Sequence, residues 1–132
     1  MTGFLKGTAT AMITPFRTDG GVDFGSFGAM IEYQIAGGTD MLVILGTTGE
    51  PATMTEEEKT AVMEFAVKKA KGRIKLVFGC GSNCTAHAVE TAKKAEKIGA
   101  DGLLAVTPYY NKCTQNGLIA YYSSICEAVN LP

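Results

Sequence analysis

The residues of this 132-residue sequence with the clearest chemical potential lie in two short loops. The first, Gly46–Pro51, reads GTTGEP, and the second, Thr107–Lys112, reads TPYYNK. Two hydroxyls beside exposed backbone N–H groups can hold a carboxylate or phosphate, and glycines permit the tight turn that this requires. Adjacent phenols can pass a proton, because a tyrosine hydroxyl both donates and accepts. Turn geometry for the first loop and interface packing for the tyrosines remain open as alternatives.

A third loop, Gly79–Cys84, has the sequence GCGSNC and is followed closely by His87. We expect Asn83 or Thr85 to cap the helix that follows, and we place His87 at the surface. Cys80, Cys84 and His87 have the spacing C-x3-C-x2-H without a fourth ligand, which matches no common zinc pattern. The sequence therefore predicts reduced thiols, no metal and no cofactor.

Short apolar runs recur about 30 residues apart and are separated by longer amphipathic stretches. Runs of this kind, rich in Val, Ile and Leu, are typical of parallel strands buried on both faces. The four runs are Thr8–Thr14, Met41–Leu45, Ile74–Phe78 and Leu103–Val106. Each precedes a predicted helix, and Leu118, Tyr121, Tyr122, Ile125 and Val129 share one face of the fourth.

Capping residues support the predicted helix boundaries. Thr55 and Glu58 have the spacing of a capping box, and Asp23 and Thr114 are suited to cap the first and fourth helices. The predicted helix ends are Gly37–Gly38, Gly72 and Gly99, where a left-handed residue is usually required.

The pattern predicts one domain over residues 1–132, an α/β fold of four βα units. Two architectures contain such an array: half of a (β/α)8 TIM barrel, with strand order 1-2-3-4, or a flavodoxin-like open sheet, with order 2-1-3-4. A full barrel needs roughly 250 residues, so the length favours half of one. In either case the loops that follow the strands gather at one edge of the sheet.

Composition and charge exclude several classes of function. Hydrophobic residues make up 46% of the chain and the net charge is −1, so neither disorder nor nucleic-acid binding is expected. No apolar stretch reaches the roughly 20 residues that cross a membrane, and the N-terminus lacks the pattern of a signal peptide. We therefore expect a cytoplasmic protein without membrane contact.

Three motifs, GTTGE, TPYYN and the initial KGTATAMITPF, resemble the first half of the dihydrodipicolinate synthase (4-hydroxy-tetrahydrodipicolinate synthase) family. The resemblance implies an eight-stranded barrel that condenses pyruvate with aspartate semialdehyde in lysine biosynthesis, through a Schiff base between pyruvate and a lysine. The related N-acetylneuraminate lyases are an alternative, but they usually carry Ser-Thr in the first loop and another aromatic pattern in the second.

The resemblance also implies roles for individual residues. Thr47 and Thr48 are the expected pyruvate-binding residues, and Thr47 and Tyr110 the expected catalytic proton relay. Because the family's relay tyrosine reaches a neighbouring subunit, a homodimer or tetramer is implied. The implied lysine-feedback pocket comprises Tyr109, Asn83, Ala52, Glu56, Lys59 and His87. Lys59 and His87 depart from the feedback-sensitive pattern, and a cation at both positions would repel the ammonium group of lysine, so feedback inhibition is not expected.

The family's Schiff-base lysine and second tyrosine correspond to positions after Pro132. Among the lysines of this chain, only Lys112 is expected near the predicted site. We therefore expect this chain to be inactive alone. A non-catalytic half-barrel module is the alternative, in which two copies pair strand four of one with strand one of the other.

Overall fold

Four parallel strands alternate with four helices in the computed structural model, which describes residues 6–132. The strands are β1 (Ala9–Ala11), β2 (Met41–Ile44), β3 (Lys75–Gly79) and β4 (Gly102–Leu104). The helices are α1 (Phe24–Ala36), α2 (Glu56–Ala70), α3 (Thr85–Ile98) and α4 (Gln115–Ala128). The strand order is β1-β2-β3-β4. This order confirms the predicted half-barrel topology and excludes the flavodoxin-like order.

The two central strands match their predicted positions closely, whereas the two outer strands are shorter than predicted. β1 covers Ala9–Ala11 rather than Thr8–Thr14, and β4 covers Gly102–Leu104 rather than Leu103–Val106. The pairing of β4 ends at Leu104 because its partner Gly79 is the last residue of β3.

The main core lies between the sheet and the helices. Alternate residues of the central strands, such as Leu42 and Phe78, are completely buried against Phe27 and Ile31 of α1 and Val62 of α2. A second cluster joins α3 to α4 through Ala88, Ala92, Tyr121 and Ile125. The alanines allow the two helices to approach closely.

The other face of the sheet is apolar but open. Ile13, Leu104 and Val106 are 50%, 47% and 44% exposed, and they alternate with neighbours that point into the core. In a complete barrel this face would be the packed interior.

The predicted N-terminal caps are confirmed for three helices. The Thr55 hydroxyl accepts from the Glu58 N–H at 3.2 Å, and the Glu58 carboxylate accepts from the Thr55 N–H at 2.8 Å. Asp23 and Thr114 cap α1 and α4, because their side-chain oxygens accept hydrogen bonds from the N–H groups of Ser26 and Gly117.

Two capping predictions are wrong. The N-cap of α3 is Cys84, so neither Asn83 nor Thr85 caps it, and the Cys84 N–H donates instead to the Ser82 hydroxyl at 3.1 Å. The α2 helix ends one residue before the predicted glycine, with Lys71 in the left-handed conformation at φ +48°. Gly72 follows with φ +73° and continues the turn. Gly99 closes α3 as predicted, with φ +113°.

Candidate active site at the carboxyl ends of the strands

The two threonines of the GTTGE motif lie on a short 3-10 turn directly after β2. Gly49 N–H donates to the Gly46 carbonyl at 2.8 Å and Glu50 N–H to the Thr47 carbonyl at 3.1 Å, which closes the turn. Thr47 and Thr48 are exposed, and within residues 6–132 neither hydroxyl makes a hydrogen bond. Both hydroxyls are therefore available to a ligand.

A buried threonine on the preceding strand segment supports this turn. Thr14 is only 4% exposed, and its hydroxyl donates to the Gly49 carbonyl oxygen at 2.7 Å. Sequence analysis missed this role. The sequence contained a signal for this role, because Thr14 lies two residues after the apolar Met12 and so shares its buried face. A polar side chain on a buried face needs a hydrogen-bond partner.

Two glycines bring the neighbouring loops against β3. A Cβ atom on Gly79 would collide with the Leu45 carbonyl oxygen, and one on Gly81 would collide with the backbone nitrogen of Val106. The chain after β2 and the chain after β4 therefore both contact the end of β3 through backbone atoms. Larger residues at these glycines would push the two loops apart.

The tyrosine loop projects from the same end of the sheet. Tyr110 is 93% exposed with φ +69°, a left-handed conformation that is uncommon for a tyrosine, and Tyr109 is 51% exposed. Because parallel strands end at a common edge, the structure places Thr47, Thr48 and both tyrosines on one rim of the molecule.

The residues of the implied feedback pocket lie on α2 and the turn before it, on the loop after β3 and the start of α3, and on the loop after β4. Glu56 and Lys59 form an ion pair at 2.8 Å, and this hydrogen bond is the main reason that the pKa of Glu56 lies below its ordinary value. Asn83, His87 and Tyr109 are exposed, and no hydrogen bond or ion pair joins their side chains within the described part of the chain. Ala52 is exposed on the turn that precedes α2.

Most of the lysines lie on helices, at helix ends or at the opposite end of the sheet. Lys75 begins β3 and so lies at the opposite end of the sheet. The helices α2 and α3 and the turn after α2 carry Lys59, Lys68, Lys69, Lys71, Lys93, Lys94 and Lys97. Lys112, on the tyrosine loop, is exposed. An amine acts as a nucleophile only in its uncharged form, which burial favours and exposure does not.

The cysteines and the acidic side chains were candidates for a metal centre. Within residues 6–132, no group of three or more His, Cys, Asp or Glu side chains is arranged to hold a metal ion. Cys80 is buried, and burial raises the pKa of its thiol to about 11. None of the described helices is both long and apolar enough to cross a bilayer.

Known proteins are similar to this chain in sequence. The Dihydrodipicolinate synthetase family matches residues 4–132. The 4-hydroxy-tetrahydrodipicolinate synthase of Alkaliphilus oremlandii is 47% identical over 127 residues, which cover 96% of this chain and 43% of that protein. The chain thus spans less than half the length of this relative.

Solved structures give the same result. The dihydrodipicolinate synthase of Aquifex aeolicus superposes with a TM-score of 0.94 at 46% identity, over 97% of this chain and 43% of that one. The chloride-inhibited enzyme of Acinetobacter baumannii, complexed with pyruvate, superposes with a TM-score of 0.94 at 45% identity, over 97% of this chain and 44% of that one. From its sequence, its strand order and these likenesses, the chain belongs to the dihydrodipicolinate synthetase family.

Proposed function

We propose that this chain supplies the carboxylate-binding and proton-relay half of a lyase site that condenses pyruvate with aspartate semialdehyde. The observation that carries the proposal is the pair of unpartnered hydroxyls on Thr47 and Thr48, held on a supported turn at the same rim as Tyr110. Membership of the family and the likeness to an enzyme complexed with pyruvate support it.

In this proposal each residue has a distinct task. Thr48 and the adjacent backbone N–H groups hold the pyruvate carboxylate, because a hydroxyl and an amide both donate to an anion. Thr47 and Tyr110 pass protons to and from the reacting atoms, since each hydroxyl donates and accepts. Tyr110 is almost fully exposed in a single chain, which suits a side chain that completes the site of a neighbouring subunit.

Carboxylate binding is tested by titrating the isotopically labelled chain with pyruvate and following its amide resonances. We expect the resonances of residues 46–50 to shift and the T48A variant to lose most of the effect. T18A is the control, because Thr18 is exposed in a separate turn and makes no side-chain hydrogen bond within residues 6–132. Absence of shifts in residues 46–50 of the unmodified chain would reject the proposal.

The family reaction starts with a Schiff base, and we propose that this 132-residue chain forms none by itself. Among residues 6–132, the lysines lie on helices or their ends, at or before the start of a strand or, for Lys112, on an exposed loop, and Lys59 is ion-paired with Glu56. None of them is buried, and burial is the setting that favours a nucleophilic amine. Incubation with pyruvate and borohydride should add no mass to the intact protein. A stoichiometric adduct on Lys112 would contradict this expectation.

A second proposal concerns the open apolar face of the sheet. We propose that a second copy of the chain covers Ile13, Leu104 and Val106, because in full-length relatives the equivalent face lies inside a barrel of which this chain is under half. The Leu103 N–H at the β4 edge already donates to the Pro132 carbonyl at 2.9 Å. The contact is therefore expected through side chains of the face rather than through this backbone group.

Sedimentation velocity over a range of concentrations tests the second proposal. The unmodified chain should sediment as a dimer, and L104K should be monomeric. I119K is the matched control, because Ile119 is 66% exposed on α4, away from the sheet. A stable, unaggregated monomer of the unmodified chain would overturn self-association through this face, whereas the pyruvate titration above tests the carboxylate-binding turn separately.

A further inference from the structure

One side chain of α4 connects two of the loops that form the rim. Tyr121 is 3% exposed. Its hydroxyl accepts a hydrogen bond from the Ser82 N–H at 3.0 Å and donates one to the Val106 carbonyl at 3.3 Å. The same oxygen therefore contacts the loop after β3 and the chain directly after β4.

The backbones of these two loops already touch at this point. Gly81 lies so close to Val106 that a side chain would not fit between them. One residue further along, the Ser82 N–H points to Tyr121 rather than to solvent. The Tyr121 hydroxyl thus bonds to both loops at the point where Gly81 allows their backbones to touch.

A second tyrosine extends this support. Tyr122 donates from its hydroxyl to the Ala105 carbonyl at 3.3 Å, and its ring packs edge-on against that of Tyr121 with centroids 5.2 Å apart. Two consecutive residues of α4 thus bind two consecutive carbonyls, those of Ala105 and Val106. These carbonyls immediately precede the 107–112 loop that carries Tyr109 and Tyr110.

The chemistry of a phenol suits the position. The Val106 carbonyl needs a donor and the Ser82 N–H needs an acceptor, and a neutral phenol provides both from one atom. Burial raises the pKa of Tyr121, so the hydroxyl keeps its proton at neutral pH. A phenylalanine at this position would preserve the packing but leave both backbone groups without their partner.

We propose that Tyr121 is a positioning residue that holds the Tyr109–Tyr110 loop in register with the loop after β3. The functional meaning of this register rests on the proposed function, in which Tyr110 relays protons. Because Tyr121 bonds to both Ser82 and Val106, a displacement of Ser82 or Asn83 would also displace the start of the tyrosine loop. Tyr121 would thereby couple the side of the rim that carries Asn83 to the side that carries Tyr110.

The test compares Y121F with Y122F in the full 132-residue chain, using amide hydrogen exchange and amide resonances. In Y121F, we expect the Ser82 amide to exchange at least tenfold faster and the resonances of residues 107–112 to shift and broaden. Resonances of α1, which does not contact this cluster, should not change. Y122F is the matched control, because it removes one bond to Ala105 and leaves the Ser82 amide with its acceptor.

A third variant separates positioning from packing. Replacing Tyr121 with 4-aminophenylalanine retains the ring and supplies a donor and a lone pair at the same place, so it should restore the loop resonances that Y121F loses. This variant also serves as the test if Y121F fails to fold. If Y121F lowers the melting temperature but leaves the Ser82 exchange rate and the resonances of residues 107–112 unchanged, Tyr121 only packs and the inference is wrong.

These measurements need no pyruvate, so their outcome is independent of the binding test above. Failure of the unmodified chain to bind pyruvate would remove the proposed function, while the exchange data would still decide whether Tyr121 holds the loop. An unchanged Y121F spectrum would remove the inference, while pyruvate shifts at residues 46–50 would still support the function.

Discussion

The Thr14 hydroxyl and the Gly49 carbonyl are 2.7 Å apart, and this hydrogen bond joins the segment after β1 to the turn that carries Thr47 and Thr48. The Thr14 side chain is buried, at 4% exposure. The bond to Gly49 therefore stabilises the fold and also holds the proposed carboxylate-binding turn in place.

Replacing Thr14 with valine should therefore destabilise the protein and loosen the turn. The substitution keeps the side-chain shape but leaves the Gly49 carbonyl without its donor, which costs about 1–3 kcal/mol in a buried environment. Chemical denaturation measures the loss, and amide exchange at Gly49 and Glu50 reports the turn. T14S retains the hydroxyl and should keep the exchange protection; equal exchange in T14V and the unmodified chain would contradict the assignment.

Replacing Gly79 with alanine should be more harmful than a typical glycine substitution. The new Cβ would collide with the Leu45 carbonyl, a backbone atom that cannot move without displacing the threonine loop. We expect a loss of about 2 kcal/mol or more, in the range of overpacked cores. The measurement is the free energy of unfolding in urea.

Gly38 offers the matched control for this substitution. A Cβ there meets no atom within 4 Å, but its φ of +76° is strained for alanine, so G38A should cost only about 1–2 kcal/mol. If G79A were as stable as G38A, the close approach of Leu45 to Gly79 would be disproved.

Glu32 should make stability depend on pH in the acid range. Its carboxylate accepts two hydrogen bonds from Arg73, at 2.8 and 2.9 Å, and pairs with Lys69 at 3.2 Å. The Arg73 hydrogen bonds are the main cause, and the pKa of Glu32 falls from 4.5 to about 2. Because the folded pKa lies below the unfolded one, the stabilisation is present above about pH 4.5 and is lost as the pH falls towards 2.

The corresponding experiment measures unfolding free energy against pH for the unmodified chain and E32Q. The variant should be less stable at neutral pH, and its stability should fall less steeply between pH 4.5 and 2. E90Q is the control, because Glu90 makes no hydrogen bond or ion pair within residues 6–132. Parallel pH profiles for E32Q and the unmodified chain would show that the Arg73 contact contributes nothing.

The cysteines should differ in reactivity by position. Cys80 is 3% exposed and its pKa is about 11, whereas Cys113 and Cys126 are exposed. Because the thiolate is the reactive form, iodoacetamide near pH 7.5 should label the two exposed cysteines quickly and Cys80 only on unfolding. Peptide mapping after timed labelling measures this. Equal labelling of Cys80 and the exposed cysteines in the folded chain would contradict the burial of Cys80.

The helix starts followed from local patterns, whereas the strand order was predicted from the chain length and the family resemblance. The capping box at Thr55 and Glu58 and the caps at Asp23 and Thr114 depend on residues within one helical turn, so sequence spacing was sufficient. The α3 cap was predicted wrongly because Cys84 takes the N-cap position without a side-chain hydrogen bond, and its own N–H donates to the Ser82 hydroxyl, a contact that depends on the path of the loop.

The strand ends were less predictable. The apolar run of β4 continues to Val106, yet the ladder stops at Leu104, because the length of a ladder is set by the neighbouring strand and not by the residue's own character. Hydrophobicity identified the strands but could not show where pairing ends.

The sequence by itself determined the four βα units, the family and the presence of threonines and tyrosines after the second and fourth strands, because apolar periodicity and short motifs are local properties of the chain. Only the tertiary structure decided what holds those residues in place. Thr14 meets Gly49 across 35 positions and Tyr121 meets Ser82 across 39, and contacts at such separations arise from the packing of whole elements.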